Sequence, residues 1–269
     1  MSSPCDYKAP VMTGRWSKMT LIIIGLVSFV AIFGGALIGL FVRSRLPAQQ
    51  LSSETQAAVT VAVAVIGTLS ALVLGLMISA ANSSFAKRSD EIRELSLQAI
   101  RIDRSLRRYG PEAAEARAAL RAWAIAKLQH LFPDKGEPPV APETGIVLLE
   151  KVLDTVLDLT PQNERQKYLR TLCATLSSTM LQARWELEQR TGYSIPVPFL
   201  VLLIFWLTIV FASFGVFAPT NATTIVALFL CSVAVASGIV LIEDLDNPGS
   251  GLIRLSSDSM RKALAELTR

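Results

Sequence analysis

Hydrophobic positions in this chain gather into four uncharged blocks, at residues 19–42, 55–86, 198–217 and 224–242. Each is long enough to cross a bilayer as a helix, since about 20 residues span the hydrocarbon core. The second is too long merely to span: its 32 uncharged positions between Glu54 and Lys87 make roughly 48 Å of helix against a core of about 30 Å. It is also the most polar block, with Thr60, Thr68, Ser70, Ser79, Asn82, Ser83 and Ser84 among alanines and glycines.

Past Asn82 the pattern changes. Ile92, Leu95, Ala99, Ile102 and Leu106 recur every three or four residues with arginines and acids between them, which predicts that the second span continues into water as an amphipathic helix. Gly110-Pro111 ends it and opens another helix over 112–131; a proline-rich loop fills 133–142. Two more helices are expected at 144–159 and 161–190, the second opened by Thr160 as cap and Pro161 in the first turn. The segment 193–198, YSIPVP, reads as an extended re-entry into the membrane, because each proline biases its predecessor away from helix. Beyond Asn247-Pro248-Gly249, Ser256 or Ser257 caps a last amphipathic helix carrying Met260, Leu264 and Leu267.

The expected fold is therefore all-α: a polytopic membrane protein of four transmembrane helices, with a cytosolic helical domain between spans 2 and 3. The divisions are a cytosolic tail at 1–18, spans 1 and 2 at 19–86, the cytosolic domain at 87–195, spans 3 and 4 at 196–242, and a cytosolic tail with an amphipathic helix at 243–269. The first block exceeds a signal-peptide core and reads as a retained anchor. Lys8, Arg15, Lys18, Lys87, Arg88, Arg93, Arg254 and Arg261 fall on one side, against Arg43 and Arg45 on the other, so the positive-inside rule puts both termini and the helical domain in the cytoplasm.

Composition agrees with this reading. The chain is 51% apolar with a mean hydropathy of +0.45, and its net charge of +4 comes from basic residues at the ends of apolar blocks, which argues against a nucleic-acid partner. Cys5, Cys173 and Cys231 are too scattered for a disulfide framework or a zinc knuckle. His130 has no second histidine or cysteine at ligand spacing. No nucleophile elbow, phosphate-binding loop or H-E-x-x-H motif is present, and no span holds an internal charge of the kind a proton-coupled carrier needs. Neither an enzyme nor a cofactor or metal site is expected. What remains is passive conduction or a membrane-anchored scaffold.

Two stripes on the second span are candidates for function. Gly67, Ala71, Gly75 and Ser79 form a small-xxx-small series, either a helix-packing seam or a wetted wall. Leu72, Leu76 and Ala80 form the neighbouring face, available to line an axis.

The run ANSSFAKRSDEIREL, residues 81–95, resembles the cytosolic end of the second transmembrane helix of bestrophins, with Asn82, Ser84, Phe85, Arg88, Glu91 and Arg93 in comparable places. IEDLDNPGSG, residues 242–251, is similar to the acidic Asn-Pro-Phe-Gly segment after their last span, though without the phenylalanine. Gly75 to Ser79 and Leu245 to Pro248 look more closely like the bacterial bestrophin-like family. The resemblance implies a homo-oligomer, pentameric as in bestrophins, in a bacterial inner membrane, passing small inorganic anions. It implies a hydrophobic neck at Leu72, Leu76 and Ala80, the last standing where the family has a bulky residue, and a cytosolic pore entrance at Asn82, Lys87 and Arg88. Lys87 and Arg88 read equally as interfacial anchors. Glu243, Asp244 and Asp246 read as a solvated acidic helix end, or as part of a calcium site of the kind animal bestrophins have. The alternative function is a non-conducting scaffold whose cytosolic bundle binds a partner.

Overall fold

The computed structural model describes residues 14–47, 52–133, 140–189, 197–246 and 255–269. The N-terminal tail before residue 14, most of the 133–142 loop, the start of the re-entry segment at 193–196 and the Asn247-Pro248-Gly249 turn lie outside the described residues.

All regular structure among the described residues is helical. The order is α1 (Gly14–Arg43), α2 (Ser53–Tyr109), a single 3-10 turn (Pro111–Ala113), α3 (Ala114–Leu131), α4 (Pro142–Leu157), α5 (Glu164–Gln189), α6 (Val197–Phe217), α7 (Ala222–Asp246) and α8 (Asp258–Leu267). Among them α1, α2, α6 and α7 are long and apolar enough to cross a membrane.

Local chemistry sets the helix ends. Ser52 Oγ accepts the Thr55 amide at 3.3 Å and starts α2; Asn221 Oδ1 accepts the Thr224 amide at 2.9 Å and starts α7. Gly110, at φ 136°, ends α2 in a conformation only glycine adopts easily, and Gln166 Nε2 caps the end by donating to the Tyr109 carbonyl at 2.9 Å. Two expectations are corrected and one open choice is settled. The fifth helix starts at Glu164 rather than 161, because the Asn163 side chain accepts the Gln166 amide at 2.8 Å and leaves Pro161 outside. The last span runs past Ile242 to Asp246, taking the acidic residues into the helix. Of the two candidate serines, Ser256 supplies the oxygen before α8, accepting the Asp258 amide at 3.2 Å.

The helices fall into two compact units. The first comprises α1, residues 53–85 of α2, α6 and α7, around Ile32, Ala36, Val63, Met77, Ala81, Leu203, Phe211 and Ile239. Within it α1 packs along α6 and α7. A Cβ on Gly39 would overlap the Ala212 carbonyl oxygen of α6, and one on Gly215 of α6 would overlap the Ala36 carbonyl of α1. Glycine is what lets these backbones touch, and in lipid such close packing replaces the hydrophobic driving force. Three span hydroxyls are satisfied inside their own helices: Ser70 donates to the Ile66 carbonyl, Thr208 to Ile204 and Ser232 to Leu228, at 2.7–2.8 Å. At one end, Arg43 donates to the Ala218 carbonyl and ties α1 to the α6–α7 hairpin.

The second unit comprises α2 from Ala86 onward, α3, α4, α5 and α8, around Ile102, Leu106, Leu120, Trp123, Leu149, Val152, Met180, Met260 and Leu267. Its buried carboxylate, Asp103, accepts from Arg107 Nε at 2.6 Å and Arg117 Nε at 2.9 Å. Arg121 reaches the Leu267 carbonyl at 2.7 Å, and Arg107 that of Glu266. Two guanidinium groups thus close the C-terminal carbonyls of α8 and complement its dipole.

Candidate functional site

One helix carries every candidate pore residue, and burial divides its faces. In the first unit α2 buries Val63, Ser70, Met77 and Ala81, with Val59, Ile66, Val73 and Leu74 packed beside them. At about 100° per residue these residues share one side. Leu72 and Leu76 lie on the opposite side, 60% and 62% exposed. Two large apolar side chains therefore point away from the chain's own packing.

That exposed line is longer than the sequence suggested. Val61 and Val65, 67% and 55% exposed, lie within about 20° of Leu72 around the helix axis, as does Ser79. Ala80 is exposed too, but lies about 80° round from Leu72, because a series with spacing four advances about 40° at each step. Val61, Val65, Thr68, Leu72, Ser79 and Ser83, at spacings of four, three, four, seven and four, trace this exposed face.

The small-residue series is not buried by the chain itself. Ala71, Gly75 and Ser79 are exposed, and a Cβ added to Gly67 or Gly75 would meet nothing within 4 Å. Among the described residues, glycines bring backbones together between α1 and α6, at Gly39 and Gly215. Gly67 instead borders a cleft of about 450 Å³, where Gln56, Thr60, Val63 and Ala64 of α2 face Val210, Ser213, Phe214 and Phe217 of α6.

Of the three entrance residues, Asn82 and Lys87 are exposed, whereas Arg88 is partly buried and engaged with the protein. The acidic end of α7 departs from expectation. Asp244 and Asp246 are 1% and 3% exposed rather than solvated, and both are engaged with other groups. No cluster of three or more metal-binding side chains occurs among the described residues. His130 Nδ1 lies 2.7 Å from the Val140 carbonyl, in keeping with a helix-end role.

Four helices long and apolar enough to cross a bilayer, and a separately cored helical unit, define a polytopic helical membrane protein. Residues 30–260 match the family model described as Bestrophin-like domain. The chain belongs to the bestrophin-like family. No curated protein matches it.

Proposed function

We propose that the protein is a bestrophin-like ion channel of the bacterial inner membrane, a homo-oligomer, pentameric as in bestrophins, that passes small inorganic anions along an axis lined by α2. The observation that carries this reading is the exposure of Leu72 and Leu76 on the side of α2 opposite its buried face. In lipid alone an outward leucine is unremarkable, but family membership and the excess length of α2 favour an axis over lipid for this side. Leucine rings form a constriction that dewets, so an ion must shed water to pass. Anions with weaker hydration pay less for that step, and selectivity arises without a charged ring. Ser83 continues the line toward the end of the span, offering a hydroxyl where the ion rehydrates. Ala80 sits at the flank of the neck. Asn82 and Lys87 form the entrance, where the lysine raises local anion concentration; the helical unit and both termini are cytoplasmic. Gly67, Ala71, Gly75 and Ser79 seat the neighbouring copy's helix beside the neck.

Chloride flux into liposomes holding the purified protein tests this. The neck reading predicts flux that rises when Leu72 and Leu76 are both changed to alanine. Absence of flux in both proteins contradicts it, and favours the scaffold reading, which the separate core of the second unit supports.

A further inference from the structure

Two exposed helix faces in the second unit carry opposite charge in matching order. On α2, Arg93, Leu97, Arg101, Arg104 and Arg108 are all exposed, at spacings of four, four, three and four, and fall within an arc of about 80°. On α4 and the residue after it, Glu143, Val147, Glu150, Asp154, Leu157 and Asp158 are all exposed and share an arc of about 100°. Each face sets apolar side chains among its charges: Leu97 is 45% exposed on the basic face, Val147 and Leu157 are 62% and 46% exposed on the acidic one. From Leu97 to Arg108 and from Val147 to Asp158 the rise is the same, about 16 Å.

Neither face is used in the unit's own packing. The α2 helix buries Leu95, Ala99, Ile102 and Leu106, and α4 buries Leu149, Val152 and Val156. Arg104 reaches Glu266 at 3.5 Å and is still 64% exposed. Scattered surface leucines are ordinary. Here the apolar residues sit among mainly basic side chains on one helix, with Glu94 at the edge of the face, and among mainly acidic ones on the second, with Lys151 at its edge, the arrangement by which a protein interface fixes partner and register.

We propose that the acidic face of α4 in one copy docks on the arginine face of α2 in the next copy. The contact is heterologous: each copy offers one face and receives the other, which is how a cyclic ring is built. This deepens the oligomeric reading above and rests on it, naming the surface through which copies meet outside the apolar helices. Electrostatic complementarity sets the order of copies, and Leu97 against Val147 supplies an apolar contact among the charges.

The test uses the full-length protein in detergent and two single-cysteine additions, Arg101→Cys and Asp154→Cys, co-expressed with distinguishable tags. A bis-maleimide of roughly 10 Å, the separation of packed helix axes, is applied. The expected result is a dimer carrying one copy of each variant, with no such product from either variant alone. In a second step the Arg93→Cys and Glu143→Cys pair, which face each other when Leu97 faces Val147, reports the contact. Changing Arg101 and Arg104 to glutamate lowers its yield about tenfold, and adding Asp154→Lys and Asp158→Lys on the facing copy recovers most of it.

A particle that is oligomeric but yields no mixed dimer overturns the contact and leaves the channel reading standing. An Arg101→Cys product formed by that variant alone also overturns it, since the arginine faces would then meet one another. A monomeric particle overturns the contact and the oligomeric reading together.

Discussion

Gly39 of α1 and Ala212 of α6 approach so closely that a Cβ on the glycine would overlap the alanine carbonyl oxygen. Gly34, five residues earlier, has nothing within 4 Å of the same construction. Gly39→Ala is expected to lower stability by about 2 kcal/mol or more, because a backbone atom cannot swing aside as a side chain does. Gly34→Ala should be neutral or slightly stabilising, as a helical glycine gives way to a better helix former. Thermal unfolding of the two variants in mild detergent, run beside the parent, measures the contrast.

Asp103 is 1% exposed and held by Arg107 and Arg117. Asp103→Ala removes the shared acceptor and leaves two partly buried guanidinium groups without it. The expected cost is about 2–3 kcal/mol, at the upper end for a hydrogen-bonded charge and below a fully buried ion pair, because both arginines keep some contact with water. Denaturant unfolding followed by Trp123 fluorescence reports it, since that indole belongs to the same core.

Cys173 is fully buried, and burial pushes its thiol up to about 11, against a small opposing effect of the Ser105 hydroxyl. The sign follows from proton binding. Between pH 9 and 11 the unfolded thiol has lost its proton while the folded one keeps it, so stability falls as pH rises through that window. The loss amounts to at most about 3 kcal/mol. Cys173→Ala removes this part of the pH dependence. A thiol reagent at pH 8 should likewise leave Cys173 unmodified until the protein unfolds.

Lys87 lies exposed just beyond the last uncharged stretch of α2. If it concentrates anions at the entrance, Lys87→Gln lowers chloride flux a few-fold at about 10 mM salt. The effect should fade near 1 M, where the Debye length shrinks to about 3 Å. A lysine serving only as an interfacial anchor would give equal flux at both salt concentrations.

Much of the architecture was legible because it rests on strong local signals. Long uncharged blocks can be buried only in lipid or protein, and Gly110-Pro111 cannot continue a helix, so four spans and the break after α2 followed directly. Contacts set by tertiary packing were not legible. Gly35, Gly39 and Gly215 form a close helix seam, yet in sequence they are no more distinctive than Gly67 and Gly75, where an added Cβ would meet nothing within 4 Å among the described residues. Asp103 looks like any acid on an amphipathic helix until Arg117, fourteen residues away, folds back onto it. The opening of α5 was misplaced because Thr160-Pro161 is a sound start signal, and Asn163 outcompetes it through a bond to Gln166. The exposed face of α2 was half legible: Leu72 and Leu76 stand out, while Val61 and Val65 join them only once burial fixes the opposite side of α2.

The central claim is that α2 surrounds a common axis. Single-particle electron microscopy of the full-length protein in nanodiscs tests it most directly. The account predicts a ring with fivefold symmetry in which α2 is the innermost helix and Leu72 and Leu76 come closest to the axis. A monomeric particle, or a ring in which those leucines face lipid, would contradict it.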